Sequence, residues 1–317
     1  MTEFVRKPLE GIFPFMPLCL KENQDIDYEG IESNIVKLDN LGIHGFIMLG
    51  CMGQMNAPSE EEFNKICDVC VEVSKNRNIV CVVSSTATNT REVIRRAKYA
   101  EDAGADGSML SLPYAFPVTA EWAVNFYRMV DEALRGELAI LLYNYPPLTG
   151  FKVTPALWKE HLLKFKSIKA FKESNFDIIE HDMALVALAD KINWLSANDV
   201  LFWHDSMLGA KAMAAQVAFM VPRLTVRFYD ECRKGHQMDP WTLQVWKNFI
   251  NVWGVWYSSG VQLGSYTPSI VNTFAEIGGF KAGPPRQPYG AVPAEIRRTI
   301  EEAARPLVEM ENQMGGN

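Results

Sequence analysis

The chain has 317 residues, with 31 basic side chains against 38 acidic ones and a formal charge of −7. At 48% hydrophobic and 22% charged residues it has ordinary globular composition, long enough for one barrel-sized core or two smaller ones. The acidic balance excludes nucleic acid as the main partner, because phosphate binding needs a basic face. No stretch reaches the roughly 20 unbroken apolar residues that span a bilayer. The start, Met1-Thr2-Glu3-Phe4-Val5-Arg6-Lys7, has no apolar run behind its charges, so no secretory leader is expected. These features predict a cytoplasmic protein with neither a membrane nor a nucleic acid as partner.

Eight short apolar runs follow one another along the chain: Gly11–Leu18, Gly45–Leu49, Ile79–Ser84, Gly107–Leu112, Leu138–Asn144, Ile168–Lys172, Asn193–Ser196 and Ala210–Ala218. Helical periodicity fills the intervals. Ile31, Ile35, Leu38 and Leu41 recur at steps of three and four, as do Phe63, Ile66, Val69 and Val73. Asn89 and Thr119 stand as capping residues before two further amphipathic stretches. Spacings of roughly 20 to 35 residues fit βα units with short connections, and eight of them predict an α/β fold, a (β/α)8 barrel of about 220 residues. A doubly wound sheet is the alternative. It calls for a Gly-rich turn after the first strand, where this chain has Phe13-Pro14-Phe15-Met16-Pro17. Beyond Val221 three long helical stretches (223–235, 240–258 and 267–278) and a last one near 294–313 predict a helical extension. The expected organisation is a barrel over 1–220 and an extension over 221–317 packed on it.

Six scattered cysteines do not make a disulfide framework. Cys67-Asp68-Val69-Cys70 has CxxC spacing but falls in a helical stretch with no second Cys or His pair, so buried thiols are expected. The five histidines lack any metal-ligand spacing, and no metal site is expected.

Chemistry in such a barrel sits at the C-terminal ends of the strands. Those ends read Gly50-Cys51-Met52-Gly53-Gln54, Leu112-Pro113-Tyr114, Tyr143-Asn144 and Lys172-Glu173-Ser174. Period two places Lys172 on the same face as Ala170. If that face is the interior, the ammonium is desolvated and the free amine becomes a nucleophile toward carbonyl carbon. The competing reading is a strand-end lysine that reaches water or pairs with Glu173. Tyr143 shares parity with Ala139 and Leu141, so its phenol is either a proton relay for the same cavity or a structural group bonded to backbone. The Gly50–Gly53 segment is either a carboxylate cradle of backbone amides or only a turn.

In this order the segments resemble the N-acetylneuraminate lyase and dihydrodipicolinate synthase superfamily of Schiff-base barrels. The likeness runs through most of the chain. It rests on Gly50–Gln54, Ala103-Gly104-Ala105-Asp106-Gly107, Leu112-Pro113-Tyr114, Leu142-Tyr143-Asn144-Tyr145-Pro146-Pro147-Leu148-Thr149-Gly150 and Ala170-Phe171-Lys172-Glu173-Ser174. The resemblance implies that Lys172 is the Schiff-base lysine and Tyr143 the catalytic phenol. It further implies that Gly50, Cys51 and Met52 hold the carboxylate of a 2-keto acid, that an aldehyde is the other partner, that no cofactor is bound, and that the chain forms a homotetramer.

The departures are informative. Leu148 replaces the synthase's carboxylate-binding Arg. Cys51 and Met52 replace hydroxyl residues, Gln54 replaces Glu, and Ala115 replaces the Tyr donated across the synthase's dimer interface. Asn89–Arg95, Gly107–Leu110 and Lys281–Tyr289 are similar to the hydratase-aldolases of aromatic-compound catabolism, which cleave benzylidenepyruvates. On that reading Tyr114 is a substrate-binding residue. Met52, Phe116, Trp122 and Leu148 supply an apolar wall for an aryl group, and Asn144 orients Tyr143 or touches substrate. The rivals are an aldolase or dehydratase of aliphatic or sugar-derived 2-keto acids, and a drifted relative that binds keto acids without turnover.

Overall fold

The computed structural model describes residues 7–175, 177–258 and 266–315; residues 1–6, where no leader was expected, lie outside the described residues. The elements in order are β1 (Gly11–Ile12), α1 (Tyr28–Asn40), β2 (Gly45–Met48), α2 (Glu60–Ser74), β3 (Val80–Val83), α3 (Thr90–Ala103), β4 (Gly107–Leu110), α4 (Ala120–Ala133) and β5 (Ala139–Asn144). There follow α5 (Pro146–Thr149), α6 (Pro155–Glu160), β6 (Ile168–Glu173), α7 (Ile178–Leu188), β7 (Asn193–Ser196), α8 (Asp199–Asp205) and β8 (Ala212–Met213). Four helices end the chain: α9 (Pro222–Arg233), α10 (Pro240–Ser258), α11 (Thr267–Ile277) and α12 (Ala294–Met314).

All strand pairs are parallel, running β2 to β8 in sequence order and then to β1. The ring closes where Phe15 bridges Ile47, with the Ile47 amide donating to the Pro14 carbonyl and the Met16 amide to the Ile47 carbonyl, both at 2.9 Å. The expected (β/α)8 barrel with a helical C-terminal part is the fold observed.

Two of the expected strands are much shorter than the apolar runs that announced them. Pro14 and Pro17 have no N–H to give to a ladder, so Gly11–Leu18 yields a two-residue strand and an isolated bridge. The run Ala210–Ala218 forms a strand only at Ala212–Met213, then turns into a 3-10 helix at Gln216–Phe219. An apolar run buried on all sides carries no period by which to tell strand from turn.

Strand alternation divides the core in two. Phe13, Phe15, Ile47, Val82, Met109, Leu141, Ala170 and Leu195 fill the barrel interior, while Phe46, Cys81, Leu110, Leu142, Phe171 and Trp194 face the helices. The helix starts follow their caps. Ser59 and Glu62 form a reciprocal capping box, and Asn89 and Thr119 accept from the Glu92 and Trp122 amides. Cys67 and Cys70 are buried on α2, and burial pushes the Cys67 thiol up to about 12, which keeps it protonated.

The four last helices share the hydrophobic cluster of the barrel's outer layer. The α10 helix packs on α8 and α12, and the Glu311 carboxylate of α12 accepts from the Arg223 and Leu224 amides at the start of α9 (3.1 and 2.7 Å). A carboxylate at a helix N-terminus satisfies donors that have no partner in their own helix.

Candidate active site

At the C-terminal ends of the strands lies a cavity of about 430 Å3. Its inner end is bordered by Phe15, Cys51, Met52, Tyr143, Tyr145, Lys172 and Ser174. Its outer part is built by Ile178 and His181 of α7, Val200 and Leu201 of α8, and Ile250, Trp253, Trp256 and Tyr257 of α10.

Lys172 reaches the interior because of where the sheet is irregular. The register of β5 on β6 slips once, between Ile140 and Leu141, which places the extra residue before Ala170. Ile168 therefore joins the outer layer, while Ala170 and Lys172 face inward and Tyr143 pairs directly with Lys172. Lys172 is 2% exposed; it neither reaches water nor forms an ion pair with Glu173 among the described residues, its amine bonding to Ser174 and the Glu173 carboxylate to Asn144 and Asn175. Its Nζ donates to Ser174 Oγ at 2.8 Å and lies 4.0 Å from the Tyr143 ring centroid. Burial lowers its pKa to about 7, against a smaller opposing pull from Cys51 and Glu173. At neutral pH a large fraction is free amine, the nucleophilic form.

Tyr143 faces the interior as its parity required, and burial raises its phenol well above the usual value. Asn144 points the other way. Its Nδ2 donates to both Glu173 carboxylate oxygens (2.9 Å each) and its Oδ1 accepts from the Val153 amide, so it holds Glu173 and the β5 exit loop, and does not orient Tyr143.

The turn after β2 is tightly wedged. A Cβ on Gly50 would meet the Phe15 ring at 2.3 Å, and one on Gly53 the Met16 carbonyl oxygen at 2.5 Å. Leu49 and Gln54, which flank it, both have φ of +57°, a left-handed conformation that costs non-glycine residues energy. Cys51 and Met52 border the cavity, and among the described residues neither of their amides donates a hydrogen bond.

Gln54 has a structural explanation that its sequence position did not show. It is buried, its Nε2 donates to the Arg286 carbonyl (3.3 Å), and its Oε1 accepts from the Arg286 amide (3.1 Å). Arg286 in turn grips Glu62 with both terminal nitrogens. A glutamate at 54 could accept but not donate, leaving a carboxylate against a carbonyl oxygen. Gln54→Glu is expected to cost about 2–3 kcal/mol at pH 7. In urea unfolding the deficit shrinks as pH falls, because the protonated acid donates again.

Several expected wall residues lie elsewhere. Phe116 is 84% exposed and Trp122 61%, so neither borders the cavity in the single chain. Leu148 packs against the barrel-interior cluster, Gly50 stands behind the turn, and Tyr114 lies outside the cavity lining. The aromatic wall comes instead from α10, where Trp253 and Trp256 stack in parallel at 4.7 Å. Ile250, Trp253, Gly254 and Tyr257 follow helical spacing, a stripe visible in the sequence, though nothing there shows what the stripe faces. Trp253 is anchored by its Nε1, which donates to the buried Asp199 at 3.0 Å. Burial raises the Asp199 carboxyl to about 7, against that hydrogen bond.

Two further groups escaped sequence reasoning. His181 shares its Nε2 with Asp205 at 2.9 Å, and Asp205 also meets His204 Nδ1 at 3.1 Å. Burial works against the His181 cation, but Asp205 together with Glu173 and Asp182 outweighs it and raises the pKa. Tyr145 stacks on Tyr143 with ring centroids 5.4 Å apart, and its buried hydroxyl has no partner among the described residues. An unpaired buried hydroxyl costs about 1–3 kcal/mol.

A (β/α)8 barrel with its cavity at the strand ends, where barrels of this kind carry out their chemistry, defines the class. Within it, residues 8–306 match the dihydrodipicolinate synthetase family, and the chain belongs to that family of Schiff-base, pyruvate-dependent lyases and synthases. It is 31% identical over 228 residues to the 4-hydroxy-tetrahydrodipicolinate synthase of Methanococcus aeolicus, covering 72% of this chain and 77% of that one. With the protein of the same name from Methanospirillum hungatei it shares 25% identity over 296 residues, 92% of this chain and 97% of the other. A solved dihydrodipicolinate synthase superposes with a TM-score of 0.83 at 25% identity, covering 94% of this chain and 99% of that one. The sialic acid aldolase of Ruminococcus gnavus has the same fold, with a TM-score of 0.84 at 17% identity over 96% of this chain and 97% of its own.

Proposed function

We propose that this protein is a hydratase-aldolase that converts an arylidene pyruvate to an aromatic aldehyde and pyruvate. The observation that carries the reading is the wall of the cavity: Trp253, Trp256, Tyr257, Ile250 and Leu201 make an apolar surface in the same cavity that Lys172 borders. Lys172 condenses with the 2-keto group and expels water. The resulting iminium is the electron sink for addition of water across the conjugated double bond and then for C–C cleavage, so no further cofactor is needed. Tyr143 relays protons. The unused amides of Cys51 and Met52 take the keto-acid carboxylate, a role that fits a strained turn held in place from behind.

The methanogen relatives carry a synthase's name. Leu148 speaks against that activity here, since by family resemblance the synthase has a carboxylate-binding Arg at this position. A panel of aldehydes offered with pyruvate tests the reading. Benzaldehyde and its hydroxylated forms are expected to condense at least tenfold faster than glyceraldehyde or aspartate semialdehyde. A preference for polyhydroxy aldehydes would favour the aliphatic aldolase, and no turnover of any 2-keto acid would favour a drifted binding protein.

Two structural features support a homo-oligomer, by family resemblance a tetramer. Ile179, Met183 and Val186 form an exposed apolar stripe along α7, at 63 to 69% exposure, on a helix apolar on its inner face as well. Phe116 and Trp122 expose a second apolar site. A tetramer uses two such surfaces. Reading 1–220 as the barrel and 221–317 as its extension is supported by α10, which completes the cavity wall. Among the described residues no helix is long and apolar enough to cross a membrane. A cytoplasmic location is part of this proposal, supported by the six unpaired cysteine thiols.

A further inference from the structure

The chemistry above uses one phenol, but the end of β5 carries two. Period two sends Tyr143 and Tyr145 to the same interior face, where their rings lie within 9° of parallel. Tyr143 is the nearer to Lys172, whose Nζ lies over its ring. Tyr145 stands one step further out. It lines the same cavity as Cys51 and as Tyr257 of the aromatic wall. The residue is 5% exposed, it borders the cavity, and its hydroxyl is unpartnered among the described residues. Phenylalanine would fill the same space without burying an idle hydroxyl.

We propose that the Tyr145 phenol donates a hydrogen bond to the oxygen on C4 of the substrate, the atom that becomes the carbonyl oxygen of the released aldehyde. This rests on the pyruvate-lyase reading of the same cavity. With C2 bound to Lys172 and the aryl group against Trp253, Trp256 and Tyr257, C4 lies between the two, alongside Tyr145. During cleavage the C3–C4 bond breaks and its electron pair passes into the iminium to give an enamine. The C4 hydroxyl loses its proton as C4=O forms, and Tyr143 relays that proton to C3 of the enamine. Tyr145 keeps its own proton and stabilises the negative charge that builds on the C4 oxygen. In the condensing direction the same hydrogen bond polarises the aldehyde carbonyl. Imine and enamine formation with pyruvate alone makes no use of it.

The two half-reactions separate the test cleanly. Full-chain wild type and Tyr145→Phe are compared for deuterium exchange into the methyl group of pyruvate, for cleavage of 4-hydroxy-4-phenyl-2-oxobutanoate, and for thermal midpoint. The variant is expected to exchange pyruvate within about threefold of wild type and to cleave the C4-hydroxylated probe about 100-fold more slowly, with the loss in kcat. Its midpoint stays level or rises, since the ring remains and an unpaired hydroxyl is gone. Cleavage within threefold of wild type overturns the proposal and leaves Tyr145 as packing. Equal losses in exchange and cleavage also overturn it, because the phenol would then serve the imine. Wild-type exchange without cleavage of this probe or condensation of any aldehyde overturns it as well. A wild type that does not exchange pyruvate removes the lyase reading itself, an outcome distinct from the others.

Discussion

Replacing Lys172 by Met is expected to abolish imine formation and at the same time to make the protein more stable. The wild-type amine is held at about 7 against an ordinary value of 10.5. At neutral pH that displacement corresponds to a folding penalty on the order of 5 kcal/mol. The sign follows from proton counting. Between pH 7 and 10.5 the unfolded chain keeps this proton while the folded chain has released it, so raising the pH relieves the penalty. At and below pH 7 the penalty is complete. Lys172→Met, of similar volume and without charge, is therefore expected to gain on the order of 3 kcal/mol in urea unfolding at pH 7, and progressively less toward pH 10. In the wild-type enzyme the same pKa makes the rate of pyruvate imine formation fall about tenfold for each pH unit below 7. A variant no more stable than wild type, with imine formation still rising steadily to pH 10, would show that the lysine is not desolvated.

Trp256→Ala is expected to separate recognition of the aryl group from recognition of pyruvate. A buried aromatic side chain covers 150–250 Å2, which at about 25 cal/mol per Å2 is worth some 4–6 kcal/mol in full. Trp256 spends part of that packing edge-on against Phe274 and stacking on Trp253, and the rest on the cavity face. If half falls on the ligand, kcat/KM for a phenyl substrate drops by about 30- to 150-fold, with an independent stability loss of about 3 kcal/mol. Deuterium exchange into pyruvate, measured below the lowered midpoint, is expected to stay within about threefold of wild type. Equal losses for phenyl and short aliphatic aldehydes would show that the wall does not read the aryl group.

What could be read from the sequence, and what could not, divides along a physical line. The barrel was legible because βα units recur at regular spacing, and two of the helix starts because Asn89 and Thr119 cap locally. The inward placement of Lys172 and Tyr143 was legible because alternation near a strand end is a local property. It survived a bulge only because the bulge falls before Ala170. The two closing strands were overestimated, since prolines and an all-apolar run leave no period to read. The apolar wall was assigned to Met52, Phe116, Trp122 and Leu148, near in sequence to the strand ends; Met52 does border the cavity, but the aromatic wall comes from α10, about 80 residues beyond Lys172. Packing of a C-terminal helix over a barrel mouth is a long-range event that no local pattern encodes. Gln54 stood out in the sequence only as a replacement of the family's usual Glu. The structure shows its amide matched, donor to acceptor and acceptor to donor, with the backbone of a residue 232 positions away.

The proposed chemistry depends first on a covalent bond between Lys172 and a keto acid. Borohydride reduction of the full-length protein in the presence of pyruvate, followed by peptide mass spectrometry, tests it most directly. A reduced pyruvyl adduct is expected on Lys172, formed more readily at pH 8 than at pH 6 and absent from Lys172→Met. An adduct on any other lysine, or none, would contradict it.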